Sequence, residues 1–91
     1  VGKYEQTWQT PYGSTRCSQW LNDMTVHQRF VASADMLSGA RSNDGGQGVA
    51  PDGLVHRFAV DITDTCHAAR ARPITEIAVG IYLTERARWA P

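Results

Sequence analysis

Long apolar runs are absent from these 91 residues: none approaches the roughly 20 that a membrane-spanning helix needs, so no direct insertion into a bilayer is expected. An excess of either charge is absent too. Nine Lys and Arg balance nine Asp and Glu, lysine occurs once, at Lys3, and the arginines are dispersed. Such a chain has no basic face with aromatic platforms, and nucleic acid is not an expected partner. The glycines between Arg41 and Ala50 are followed by no Gly-Lys-Ser/Thr and preceded by no apolar strand, which argues against a phosphate cradle. No Cys-x-x-Cys occurs, and Cys17, Cys66 and His67, even with His27, match no closed zinc pattern. None of His27, His56 and His67 stands beside a serine in a nucleophile-elbow context. No catalytic residue, metal ligand or cofactor is therefore assigned, and the chain is expected not to be an enzyme. The histidines retain one simpler use, as weak pH sensors, because an unperturbed imidazole titrates near about pH 6.5.

Two cysteines separated by 48 residues allow one disulfide, two inert buried thiols or half of a metal site. The disulfide is the expected reading. Closing a loop of about 50 residues removes enough chain entropy from the unfolded state to stabilise a small domain by about 4 kcal/mol. A domain this short gains only a modest margin from its hydrophobic core. A Cys17–Cys66 bond would place the protein in an oxidising, extracytoplasmic compartment. Val1 opens a polar segment and not a signal peptide, so the expected form is a mature chain or excised domain whose N-terminal signal has been removed.

What is present is helical periodicity. Residues 1–13 lack it and read as an aromatic N-terminal arm closed by Pro11 and Gly13. Its Tyr4, Trp8 and Tyr12 recur every four residues, but Thr7, Thr10 and Pro11 disfavour a helix. The arm is expected to lay its rings on the domain, with a disordered tether and a partner-binding strip as alternatives. Residues 14–91 read as one domain. Ser14 or Thr15 is expected to cap a short first helix with Cys17, Trp20 and Leu21 on one face. Asn22 and Asp23 break it, and Thr25 with Gln28 reads as a capping box for a second start. Val26, Phe30, Ala34, Leu37 and Ala40 then form an apolar stripe, with Ser33 a polar member of that face and Asp35 opposite.

Asn43, Asp44, Gly45, Gly46 and Gly48 are turn chemistry, and Pro51 with Asp52 suits a new helix start. Leu54, Val55, Phe58, Ile62 and Cys66 put the second cysteine on a buried stripe. Pro73 opens the last helix, whose apolar residues are Ile74, Ile77, Ala78, Ile81, Tyr82 and Leu83, and Trp89 folds back. The expected class is all-α: a single-domain bundle of three to four helices clasped by one disulfide.

The run CSQWLNDMTVHQRF, from Cys17 to Phe30, with the spacing to Cys66, the Gly/Asp-rich loop and a final amphipathic helix, resembles the HdeA family of small periplasmic acid-stress chaperones. The likeness covers about residues 14–89. It implies that Cys17 and Cys66 form the family's disulfide. It also implies a homodimer at neutral pH that dissociates and loosens in acid to hold unfolding client proteins. The layout is also similar to that of small secreted or lipid-anchored domains of actinobacteria and their prophages, for which superinfection exclusion at the envelope is one proposed role. The chain differs from the chaperones in its added arm, its single lysine and its Arg-rich end.

The functional expectation is a non-enzymatic, extracytoplasmic module that binds protein, with acid-stress chaperoning as its sharpest form. The alternative is an envelope or host-surface factor with one dedicated partner. The candidate binding residues are Tyr4, Trp8 and Tyr12 of the arm with Trp20, Phe30 and Tyr82 of the domain. Leu21, Phe58 and Ile81 supply further apolar surface with Trp20, Phe30 and Tyr82, and these six are expected to be mostly core and partly interface.

Overall fold

Helix boundaries in the computed structural model, which describes all 91 residues, follow from local chemistry at each end. Five α-helices form: α1 (Cys17–Asn22), α2 (Val26–Asn43), α3 (Asp52–His67), α4 (Ile74–Thr84) and α5 (Arg86–Trp89). There is no strand, only one isolated bridge between Arg16 and Pro73. The cap of α1 is Arg16, in place of the expected Ser14 or Thr15; its backbone N–H donates to Gln19 Oε1 at 2.9 Å. Thr15 is engaged elsewhere, donating its hydroxyl to the Pro11 carbonyl. At α2 the Thr25–Gln28 box closes in both directions, Gln28 N–H onto Thr25 Oγ1 at 3.1 Å and Thr25 N–H onto Gln28 Oε1 at 2.8 Å.

The end of α2 depends on glycine. The N–H of Gly45 donates to the Ser42 carbonyl and that of Gly46 to the Arg41 carbonyl, a Schellman closure that satisfies the orphan carbonyls of the last turn. Gly45 adopts φ 93°, where any Cβ is strained, and a Cβ on Gly46 would lie 3.0 Å from the Arg41 carbonyl oxygen. The helix therefore runs to Asn43, three residues into the 41–50 stretch expected to be turn.

Packing is centred on α3, which lies against α1, α2 and α4. Its Val55, Phe58, Ile62 and Cys66 are buried, as their spacing requires. They meet Trp20, Leu37, Ile74 and Ala78 from the other helices. Each large apolar side chain so buried stabilises the fold by about 1.5–3 kcal/mol. Trp89 of α5 turns inward and is fully buried. Its ring meets the edge of Phe58 with centroids 5.0 Å apart, and its carbonyl accepts from the Arg41 guanidinium at 2.6 Å.

One corner holds the two halves of the chain together. Cys17 and Cys66 form a disulfide with Cα atoms 4.9 Å apart. Beside it, Cys17 N–H donates to the Arg72 carbonyl at 2.8 Å, Ser18 N–H to that of Arg70 at 2.9 Å, and Ile74 N–H to that of Thr15 at 2.8 Å. The start of α1 is thus stitched to the α3–α4 connection by backbone as well as by sulfur.

Two stripe residues depart from expectation. Val26 is 75% exposed: it is the first residue of α2 and borders the open cleft between α2 and α3 instead of the core. Leu83 is 56% exposed, since Ile74, Ala78 and Tyr82 define the inward line of α4 and the next residue is turned by about 100°. No helix is long and apolar enough to cross a membrane.

Candidate functional site

The arm crosses the outer side of α2 and reaches the start of α3. At its tip, Lys3 forms an ion pair with Asp52, and the Tyr4 hydroxyl donates to Asp52 Oδ1 at 2.7 Å. The Tyr4 ring stacks on Phe30 with centroids 5.9 Å apart, and Phe30 in turn meets His56 at 4.9 Å. In its middle, Gln6 donates to the Gln28 carbonyl at 3.0 Å, Gln28 donates to Thr7 Oγ1 at 3.0 Å, and His27 Nε2 lies 2.8 Å from the Glu5 carbonyl oxygen. Trp8 donates its indole N–H to Thr15 Oγ1 at 2.9 Å. At the far end Tyr12 donates to Asp35 Oδ2 at 2.6 Å and accepts from Gln6 at 3.0 Å.

These bonds show what the arm covers. Gln28, Val31, Ala32 and Asp35 share one face of α2 by helical spacing, and both polar members of that face are bonded to the arm. Val31 and Ala32 between them are fully buried. Together with Ser33 and Ala34 they make four consecutive buried residues, which an amphipathic helix with one free side does not show. The arm supplies the cover on that side.

All three tyrosines donate to an aspartate. Besides Tyr4–Asp52 and Tyr12–Asp35, Tyr82 donates to Asp44 Oδ2 at 2.6 Å, and Asp44 is also paired with Arg86. Charge and hydrogen bonding shift these groups together. Asp52 is held below the usual carboxylate range, first by the Lys3 bond and then by that of Tyr4, with His56 adding a smaller pull. Asp44 is lowered by Arg86 and then by Tyr82. Burial, followed by the bond to Asp35, pushes the Tyr12 phenol up to about 12.

Of the six candidate binding residues, Tyr4, Trp8, Tyr12 and Phe30 gather on the arm and the surface beneath it. Trp20 is core: it is fully buried and donates its indole N–H to Thr63 Oγ1 at 2.9 Å. Tyr82 is buried and donates its hydroxyl to Asp44, in a contact the arm does not share. Next to Phe30, a cleft of about 340 Å³ opens between α2 and α3, lined by Val26, Arg29, His56 and the exposed Val60. The three histidines do not converge, and no three His, Cys, Asp or Glu side chains gather as metal ligands would. The residues missed by sequence reasoning are Gln6, Asp35 and Asp52, the polar anchors of the arm. Comparison with protein-family models, with characterised proteins and with solved structures finds no match to this chain.

Proposed function

We propose that this chain is a non-enzymatic, extracytoplasmic protein-binding module whose N-terminal arm is released by acid. Release uncovers apolar surface that holds other proteins as they unfold, as in the acid-stress chaperones the sequence resembles. The observation that carries the reading is the arm itself: its ends are fastened to Asp52 and Asp35, and its Tyr4 ring stacks on Phe30. The disulfide supports the compartment, since such bonds persist in oxidising surroundings.

The sign of the pH dependence follows from linkage. A carboxylate whose folded-state pKa lies below its unfolded value contributes stability above that unfolded value, and the contribution is lost as pH falls through the folded one. Asp52 and Asp44 are both of this kind. Asp52 faces Lys3 and Tyr4 of the arm and His56 of its own helix; Asp44 faces Tyr82 and Arg86, with Arg41 near the same phenol. As pH falls through those depressed values, below the ordinary carboxylate range of about 4, these contacts lose their charged acceptor. Nine Lys and Arg and three His then stand against no ionised carboxylate, a side-chain charge of plus twelve in a small molecule. The disulfide limits the opening by keeping α1 on α3.

Light scattering from an acid-aggregating enzyme such as alcohol dehydrogenase tests this. Suppression of scattering at about pH 2–3 and none at pH 7 is the expected result. Failure to suppress at either pH removes the chaperone reading.

A further inference from the structure

We propose that the groove between α3 and α4 is a docking site for a basic segment of another protein, one in which an arginine or lysine lies beside an apolar residue. The groove encloses about 630 Å³. That is ample for two or three side chains, within the range of about 300–1,000 Å³ common for binding clefts. Its floor is made by the half-buried Ile77 and Ile81, with Gly80 between them. Its walls carry Asp61 and Asp64 from α3 and Glu76 and Glu85 from the α4 side.

The charge around this groove is not balanced internally. Arg72 bonds Glu76 at 3.0 Å, and Arg88 sits 3.7 Å from Asp61 and 3.6 Å from Glu85. Asp64, which also borders the cleft that holds Arg29, forms no ion pair. Four carboxylates against two arginines leave a negative rim over an apolar floor in a molecule whose total charge is zero. An anionic lipid or nucleic acid is repelled there. A bare metal ion finds no set of converging ligands. A segment with a cation for the rim and an apolar side chain for the isoleucines fits both features.

The inference shares the protein-binding class of the reading above but not its acid step, because no bond from the arm reaches the groove. Gly80 makes it testable without unfolding the protein. A Cβ there meets nothing within 4 Å, and leucine is the better helix former, so Gly80→Leu fills the floor and leaves the fold standing.

The probe is a blocked hexapeptide of alternating leucine and arginine, titrated into the ¹⁵N-labelled full chain at pH 7. A second peptide with glutamine for arginine is the control. Expected are amide shift changes centred on 61–69 and 76–85 that the glutamine peptide does not produce. Asp64→Asn should weaken binding about fivefold, the value of one solvated charge contact. Gly80→Leu should abolish it, and Asp23→Asn, an exposed carboxylate away from the groove, should leave it unchanged. Shifts centred elsewhere, equal shifts from the glutamine peptide, or unaltered affinity in both groove variants would overturn the proposal. Because the titration is done at neutral pH, its outcome is separate from that of the acid aggregation assay.

Discussion

Single side chains decide how firmly the two layers of this molecule adhere. Tyr12 sits where the arm meets α2, and its phenol is pushed up to about 12 by burial and then by its bond to Asp35. A phenol raised in the folded state contributes stability that is complete below its unfolded value of about 10 and is lost as pH rises through the folded one. All three phenols are raised, Tyr4 first by its bond to Asp52 and Tyr82 first by burial, and ultraviolet titration should therefore find a highest step that belongs to Tyr12. In Tyr12→Phe that step disappears. Ser33 is the opposite case, a fully buried hydroxyl with no hydrogen-bond partner. An unsatisfied buried hydroxyl is a cost, so Ser33→Ala should raise stability by about 1 kcal/mol in urea unfolding. A loss of similar size would mean that the hydroxyl has a partner in solution.

At the scale of elements, legibility depended on whether an element's reason lay within itself. The α3 stripe from Val55 to Cys66 is regular at three to four residues, because a single face meets the core. The Thr25–Gln28 box marks the start of α2 for the same kind of reason, both partners being three residues apart. The middle of α2 hides its burial. Val31 to Ala34 are covered from two sides, which erases the amphipathic contrast that a periodicity argument reads. The arm shows its rings in the sequence but not its anchors. Tyr4–Asp52 and Tyr12–Asp35 are 48 and 23 residues apart, and no spacing rule links them. Gln6, which bonds both Tyr12 and the Gln28 carbonyl, carries no sequence signal beyond being polar. The same limit applies to the α3–α4 groove, whose acidic walls come from separate elements. As an element, α2 should lose about 1 kcal/mol of stability in Thr25→Ala, the usual value of a helix cap, and chemical denaturation measures this directly.

For the whole molecule the cross-link between Cys17 and Cys66 sets the margin. It spans 49 positions, and opening a loop of that size should cost about 4 kcal/mol, a large part of a small domain's stability. The double change Cys17→Ala with Cys66→Ala, or reduction, should shift the urea midpoint accordingly. The backbone bonds of Cys17, Ser18 and Ile74 at the same corner should keep the helices paired while the fold persists. An unaltered midpoint would show that those bonds alone carry the corner.

The cross-linked core and the carboxylate-fastened arm differ in what acid can do to them. The three tryptophans separate the two: Trp8 lies on the arm, whereas Trp20 and Trp89 are fully buried in the core. The decisive measurement is fluorine NMR of the 5-fluorotryptophan-labelled protein, followed from pH 7 to about pH 2. The account predicts that the Trp8 resonance moves to its free-chain position while those of Trp20 and Trp89 still report a folded core. Simultaneous movement of all three, or a Trp8 resonance that stays in place at the acid limit, would contradict it.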